Sequence, residues 1–251
     1  CVIRGCNKHG MLLTNVADSE FNDVVVYSCL LNGYRINAGM NRFIGCKAFG
    51  NGSVTANPND TAYDSRYAGF YDSRGNTYVG CDAQGNYGHG FEFKNTNNLN
   101  CHGIRTNVNG FQVDNTGNPT DIVSTPAYDG INLDHCRYST IITTAQSMYT
   151  DADRKYQRSA LCINDTSGEC EYLNAIIDST NQYEANYINN SAMTRYNFST
   201  NGIQRIPTND ISHTMNSSGG WSSNTDYPLT IERIGNVYNL YGIVQNTDNV
   251  S

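Results

Sequence analysis

Hydrophobic positions along this chain alternate over short stretches and then stop at glycine or asparagine. In Gly90-Phe91-Glu92-Phe93-Lys94 the phenylalanines share one side of an extended backbone, and the glutamate and lysine share the other. No window carries an i, i+3, i+4, i+7 stripe longer than two turns, so short strands and turns are predicted throughout. These units recur. Blocks starting at Cys81, Cys101 and Asp121 align without a gap at a step of twenty, which superposes Gly90, Gly110 and Gly130. The same register superposes Phe91, Phe111 and Ile131, then Phe93, Val113 and Leu133. Upstream the step is less even. Cys6 precedes Gly10-Met11, Cys29 precedes Gly33-Tyr34, and Cys46-Lys-Ala-Phe49 precedes Gly69-Phe70, with 51–67 read as an extra loop in one rung.

A unit of about twenty residues cannot bury an apolar face alone, but stacked units share a continuous core. Like residues then pile up, cysteine on cysteine and phenylalanine on phenylalanine. Asparagine fits the same plan, because it tolerates left-handed turns and its amide bonds from rung to rung. The prediction is an all-β chain: a right-handed parallel β-helix over 1–206, with about 20 residues per regular rung. The Leu-x-x-Leu-x-Leu pattern of a leucine-rich repeat is absent, and a β-sandwich would not give three gap-free blocks. The register loosens after Thr140. Residues 207–227, polar and containing Ser217-Ser-Gly-Gly-Trp-Ser-Ser223, read as a linker. Residues 228–251 read as a C-terminal β-hairpin module turning at Gly235-Asn236.

Composition narrows the function. Charged residues are 16% of the chain, against 35 Asn and 18 Tyr, and the net charge is −7 with no basic run. Binding driven by phosphate neutralisation is not expected, so no nucleic-acid partner is predicted. Apolar runs fall far short of the ~20 residues a membrane helix needs, so no membrane insertion is predicted. The opening at Cys1 reads as a piece of a longer protein. Nine cysteines without a CxxC pair suggest stacked, reduced thiols rather than a zinc site. No metal and no cofactor are expected.

The Cys-x-Ala-x-x-Asn motif at Cys46 and Cys81, followed by Gly69-Phe70 and Gly90-Phe91, resembles rungs of the pectate-lyase-like β-helices of phage tailspike and pre-neck appendage proteins. The ending Leu229-Thr-Ile-Glu-Arg-Ile234 through Tyr241-Gly242 is similar to the small β-module that follows such helices. The resemblance implies a homotrimer in a virion, assembled in the host cytoplasm and acting at the bacterial surface. It implies binding, and often hydrolysis, of a bacterial cell-surface polysaccharide or teichoic acid. A non-catalytic receptor-binding domain of a tail fibre and a free polysaccharide lyase are the alternatives.

The twenty-residue register places Glu92, Gln112 and Asn132 in one outward column and Lys94, Asp114 and Asp134 in the next. Rungs about 4.8 Å apart would set Asp114 roughly 5 Å from Asp134 and Glu92 roughly 8 Å from Asp114. These separations bracket those of retaining and inverting glycosidases, so Glu92, Asp114 and Asp134 are the candidate catalytic acid and base of a glycoside hydrolase. Tyr71, Lys94, His102, Gln112, Tyr128 and Asn132 are the candidate substrate-binding residues, with tyrosine rings suited to the C–H faces of sugars. His102 is placed in one outward column with Lys47 and Asp82. Asp72 and Asp121 break the pattern by falling at inward positions, where a carboxylate must be paired or protonated.

Overall fold

The computed structural model describes residues 1–52, 67–110, 128–146 and most of 157–191, plus the backbone of short strands beyond. Three parallel ladders build a right-handed β-helix. The first wall stacks β1 (Val2–Arg4), β4 (Val25–Tyr27), β7 (Lys47–Phe49), β10 (Asp82–Gln84), β12 (Asn100–Asn107), β14 (Arg137–Gln146), β16 (Glu171–Thr180) and β18 (Tyr196–Thr200). The second wall stacks β2 (Met11–Leu13), β5 (Tyr34–Ile36), β8 (Phe70–Asp72), β11 (Phe91–Lys94), β13 (Ile131–Asp134), β15 (Ser159–Asn164) and β17 (Ala185–Asn189). The third wall stacks β3 (Glu20–Asn22), β6 (Arg42–Ile44) and β9 (Thr77–Val79), then merges with the first at β12. The merger carries a bulge between Cys101 and Ile104.

Inside, like residues stack. Tyr34, Phe70 and Phe91 form a column with ring centroids 4.4 and 4.6 Å apart, and Phe21, Phe43 and Tyr78 another at 5.0 and 5.1 Å. Two columns of polar groups bind the coil to itself. Asn51, Asn86, Asn109, Gln157 and Gln182 form a buried amide ladder in which each side chain bonds the next at 2.9–3.2 Å. The corner residue before each Asn is left-handed: Gly50, Gly85 and Val108 have φ of 58, 58 and 55°. A second column of turn-side amides runs through Asn41 and Asn76, which accepts the Asn41 N–H at 2.8 Å.

The thiols are all free, and seven of the nine are buried. They occupy several columns rather than one. Cys81 stacks between Cys46 and Ile104, because Lys47, Asp82 and Arg105 are in register. Cys101 pairs with Tyr78 and Ile141 instead. The sulfurs of Cys46 and Cys81 donate to Phe21 and Phe43 carbonyls on the preceding rung, which explains polar-capable residues in a dry core.

Past β18 the pairing becomes antiparallel. β19 (Ile203–Arg205) joins β18 to β21 (Thr230–Ile234), which forms a hairpin with β22 (Val237–Tyr241) through Gly235-Asn236. Within the segment read as linker, β20 (Trp221–Ser223) pairs with β23 (Val244–Asn246).

One register differs from the sequence reading. The strand of Phe91 pairs directly with that of Ile131, setting Glu92 beside Asn132 and Lys94 beside Asp134. The other edge of β11 is taken by β8. The step from Phe91 to Ile131 is therefore forty residues. Gln112, Asp114 and Asp121 lie outside the described residues.

Candidate functional site

The second wall holds most of the residues singled out from the sequence, and all point away from the core. Tyr71, Glu92, Asn132 and Cys162 form one column in register. Outward direction does not mean exposure: Glu92 is 2% exposed, Asp134 4% and Cys162 0%. The Arg35 guanidinium lies 3.7 Å from the Tyr71 ring centroid. Burial raises the Tyr71 phenol above its ordinary range, with Glu92 adding to the shift and Arg35 and Lys94 opposing it. Lys94 Nζ sits 3.4 Å from Asp134 Oδ2. Asn164 donates to Asn132 Oδ1 at 2.7 Å.

Beside this column is a knot of side chains that no sequence pattern pointed to. Asp129 is fully buried and takes two bonds from Arg158, at 2.9 and 2.7 Å, and one from the Ser159 hydroxyl at 2.7 Å. Its backbone N–H donates to His89 Nδ1 at 2.9 Å, and the Tyr128 ring stands edge-on to His89 at 5.2 Å. Arg158 also donates to Cys162 Sγ at 3.2 Å. Burial, reinforced by Asp129, pushes the Cys162 thiol up to about 12, so it is held as an unreactive S–H. The arrangement is that of a satisfied buried ion pair, a clamp between successive turns.

Asp72 faces inward between Ile36 and Phe93, as its sequence position indicated, and no register slip removes it. It accepts bonds from the Arg74 and Gly75 amides, the Asn76 side chain and the Tyr78 hydroxyl at 2.8–3.1 Å. Burial raises its pKa against those bonds. Asp72 therefore anchors a corner, and Tyr78, whose hydroxyl it holds, is a core residue.

The open site lies on the first wall. A groove of about 360 Å³ is lined by Lys47, Asp82, Arg105, Thr144 and Asp178 in one outward column and by Gln84, Asn107, Gln146 and Thr180 in the next. Arg105 Nη2 is 3.1 Å from Asp82 Oδ2, and Lys47 Nζ reaches the same oxygen at 3.5 Å and Gln84 Oε1 at 3.1 Å. At its lower end the second column continues into Phe49 and Tyr27, whose rings stack at 4.6 Å. The groove thus offers an amide, hydroxyl or charge on each successive rung, with aromatic faces at one end.

His102 is not part of it. The bulge in β12 places His102 opposite Val79, and Arg105 takes the position beside Asp82. The signal was present in the chain: Gly45-Cys-Lys-Ala48, Gly80-Cys-Asp-Ala83 and Gly103-Ile-Arg-Thr106 share a left-handed glycine three residues before a small inward residue. The cysteine spacing concealed it. Among the described residues no three His, Cys, Asp or Glu side chains are grouped to hold a metal.

No protein-family model and no curated protein matches the chain. Two solved structures are similar to it. The A-module of the mannuronan C-5 epimerase AlgE4 from Azotobacter vinelandii matches over 79% of this chain and 56% of its own, with 12% identity and a TM-score of 0.45. Pectate lyase Pel9A matches over 76% of this chain and 50% of its own, with 14% identity and a TM-score of 0.37. The chain spans about half the length of the structures it matches.

Proposed function

We propose that this chain is the β-helix of a phage tailspike or appendage, and that it binds a linear bacterial surface polysaccharide along the first-wall groove. The observation that supports the reading is the repetition of hydrogen-bonding side chains on rungs about 4.8 Å apart, next to the Tyr27–Phe49 pair. A polymer of hydroxyl-bearing rings matches that lining: amides and hydroxyls bond its oxygens, and rings cover its C–H faces. The sequence resemblance extends the proposal to a homotrimer carried on the virion and acting at the host surface.

Binding is favoured over cleavage within the groove. Asp82 and Asp178 are separated by three rung steps, roughly 14 Å, beyond the roughly 9.5 Å limit for a glycosidase pair. Hydrolysis at Glu92 and Asp134 is the second reading. Their diagonal across adjacent strands is roughly 8 Å, which suits an inverting pair, but both carboxyls are covered.

The test is an array of purified capsules, O-antigens and teichoic acids, read for binding and, by mass spectrometry, for cleavage. Retention of one glycan, weakened by Arg105→Gln, supports the groove. Product formation lost on Glu92→Gln would replace it with the hydrolase reading. Absence of any retained glycan would overturn both.

A further inference from the structure

The corner that leads from the second wall into the third, and above their merger into the joined wall, is a column of left-handed residues, one per rung. Asp18, Met40, Gly75, Asn98, Tyr138 and Tyr172 have φ of 52, 63, 86, 57, 51 and 53°. Their stacking follows from the rung-to-rung bonds just after them: Arg42 N to Ser19 O, Thr77 N to Asn41 O, Asn100 N to Asn76 O and Thr140 N to Leu99 O. Glycine, asparagine and aspartate suit this backbone, whereas a side chain as large as tyrosine is strained there. Two successive rungs nonetheless carry tyrosine.

Burial does not account for them. Tyr138 is 56% exposed and Tyr172 39%, and the two rings lie parallel with centroids 4.8 Å apart. Strain kept at exposed side chains points to something outside the fold. Below Tyr138 the column drops to the short Asn98, then to Gly75 with no side chain, and rises again at Met40, 79% exposed. The backbone of Met40 lies three rung steps, about 14 Å, below that of Tyr138, and the short residues between them leave a shallow notch on this corner, closed on its inner side where the Asn97 backbone covers Gly75. Asn97 and Asn98 floor it, and the exposed Arg74 and the Arg137–Glu171 pair (3.6 Å) border it.

We propose that this notch is a second saccharide-binding site, distinct from the groove. The lower face of Tyr138 takes the apolar C–H face of one sugar ring, and the Asn97 and Asn98 amides with Arg74 take its hydroxyls. The inference rests on the glycan reading above but not on the groove: Tyr138 and Thr144 are six residues apart on β14, about 20 Å. A protein partner is a poorer fit. The lining is amide and guanidinium rather than apolar, and one ring face is small against the ~800 Å² a stable protein contact buries per partner.

The test uses the full chain on the same glycan array, with Tyr138→Asn, Tyr138→Phe, Asn98→Tyr and Arg105→Gln. Tyr138→Asn puts in the residue that the preceding rung already carries, so thermal stability should stay within a few degrees while affinity for the retained glycan falls about three- to tenfold. Tyr138→Phe should keep affinity. Asn98→Tyr should extend the ring stack, fill the notch and lose affinity even if Tyr138→Asn fails to fold. Wild-type affinity in folded Asn98→Tyr or Tyr138→Asn, with loss in Arg105→Gln, overturns the notch and leaves the groove standing. A smaller particle by light scattering, with glycan affinity unchanged, makes the corner a subunit contact instead. No glycan retained by the wild type overturns both sites.

Discussion

Arg105 stands one rung above Asp82, its Nη2 3.1 Å from Oδ2, while Lys47 on the rung below approaches the same oxygen. Two cations share one carboxylate, and the Arg105 side chain is 66% exposed. An exposed pair contributes about 0–1 kcal/mol to stability, so Arg105 is dispensable for folding. Arg105→Gln should leave the melting temperature within about 2 °C of wild type. A large loss of stability, measured by scanning calorimetry, would show the triad to be structural.

The amide ladder should be far less tolerant. Asn86 accepts from Asn51 and donates to Ala48 O and Asn109 Oδ1, all in the dry interior. Asn86→Ala strands several of these groups at about 1–3 kcal/mol each. The expected destabilisation by urea titration is at least about 2 kcal/mol, and a cost under 0.5 kcal/mol would mean the ladder is ornamental.

Two glycines separate crowding from backbone conformation. A Cβ on Gly90 would lie 2.6 Å from Gly130 O and 2.7 Å from the Asn109 amide, with no flexible end to yield on the carbonyl side. A Cβ on Gly85 meets nothing within 4 Å, and its only penalty is φ of 58°. Gly85→Ala should cost about 1 kcal/mol and Gly90→Ala clearly more, through overpacking. Equal losses in paired denaturation curves would contradict the close rung contact.

Asp72 makes stability depend on pH in an unusual sense. Burial raises its folded pKa above the ordinary carboxylate value of 3.8, so the folded state holds this proton more tightly than the unfolded state. Its contribution is fully present below that value and is lost as pH rises through the raised pKa. Asp72→Asn should cost stability by losing an acceptor, and the difference from wild type should shrink as pH rises from 4 towards neutrality. A difference that grows with pH would reverse the assignment.

Cysteine reactivity offers a cheap check of the stack. Cys1 is exposed and Cys6 partly so, whereas Cys29, Cys46, Cys81, Cys101, Cys136, Cys162 and Cys170 are buried. An aromatic disulfide reagent on the native chain should modify Cys1 quickly and Cys6 slowly, and the other seven only after denaturation. Peptide mapping showing early labelling at Cys101 or Cys162 would contradict the buried columns.

The chain alone determined that short strands are separated by glycine and asparagine corners and stacked as a β-helix. Gly90-Phe91 and Gly130-Ile131 needed only alternation and a repeated left-handed or close-packed position to be recognised as rungs, and Asp72 could be placed inward from its neighbours. Those are local properties, carried within a few residues. Which rungs touch is not local. Steps of 35, 23, 39 and 34 residues join Lys47, Asp82, Arg105, Thr144 and Asp178, and no fixed period finds them. The repeat at Cys101 suggested a rung where the backbone has a bulge, so His102 stood in for Arg105. Burial was equally hidden: alternation tells that Glu92 and Cys162 leave the core, but not that the folded chain encloses them. Tertiary structure decided the groove, the Asp129–Arg158 clamp and the notch at Tyr138, because each joins residues that meet only when loops of unequal length have been closed.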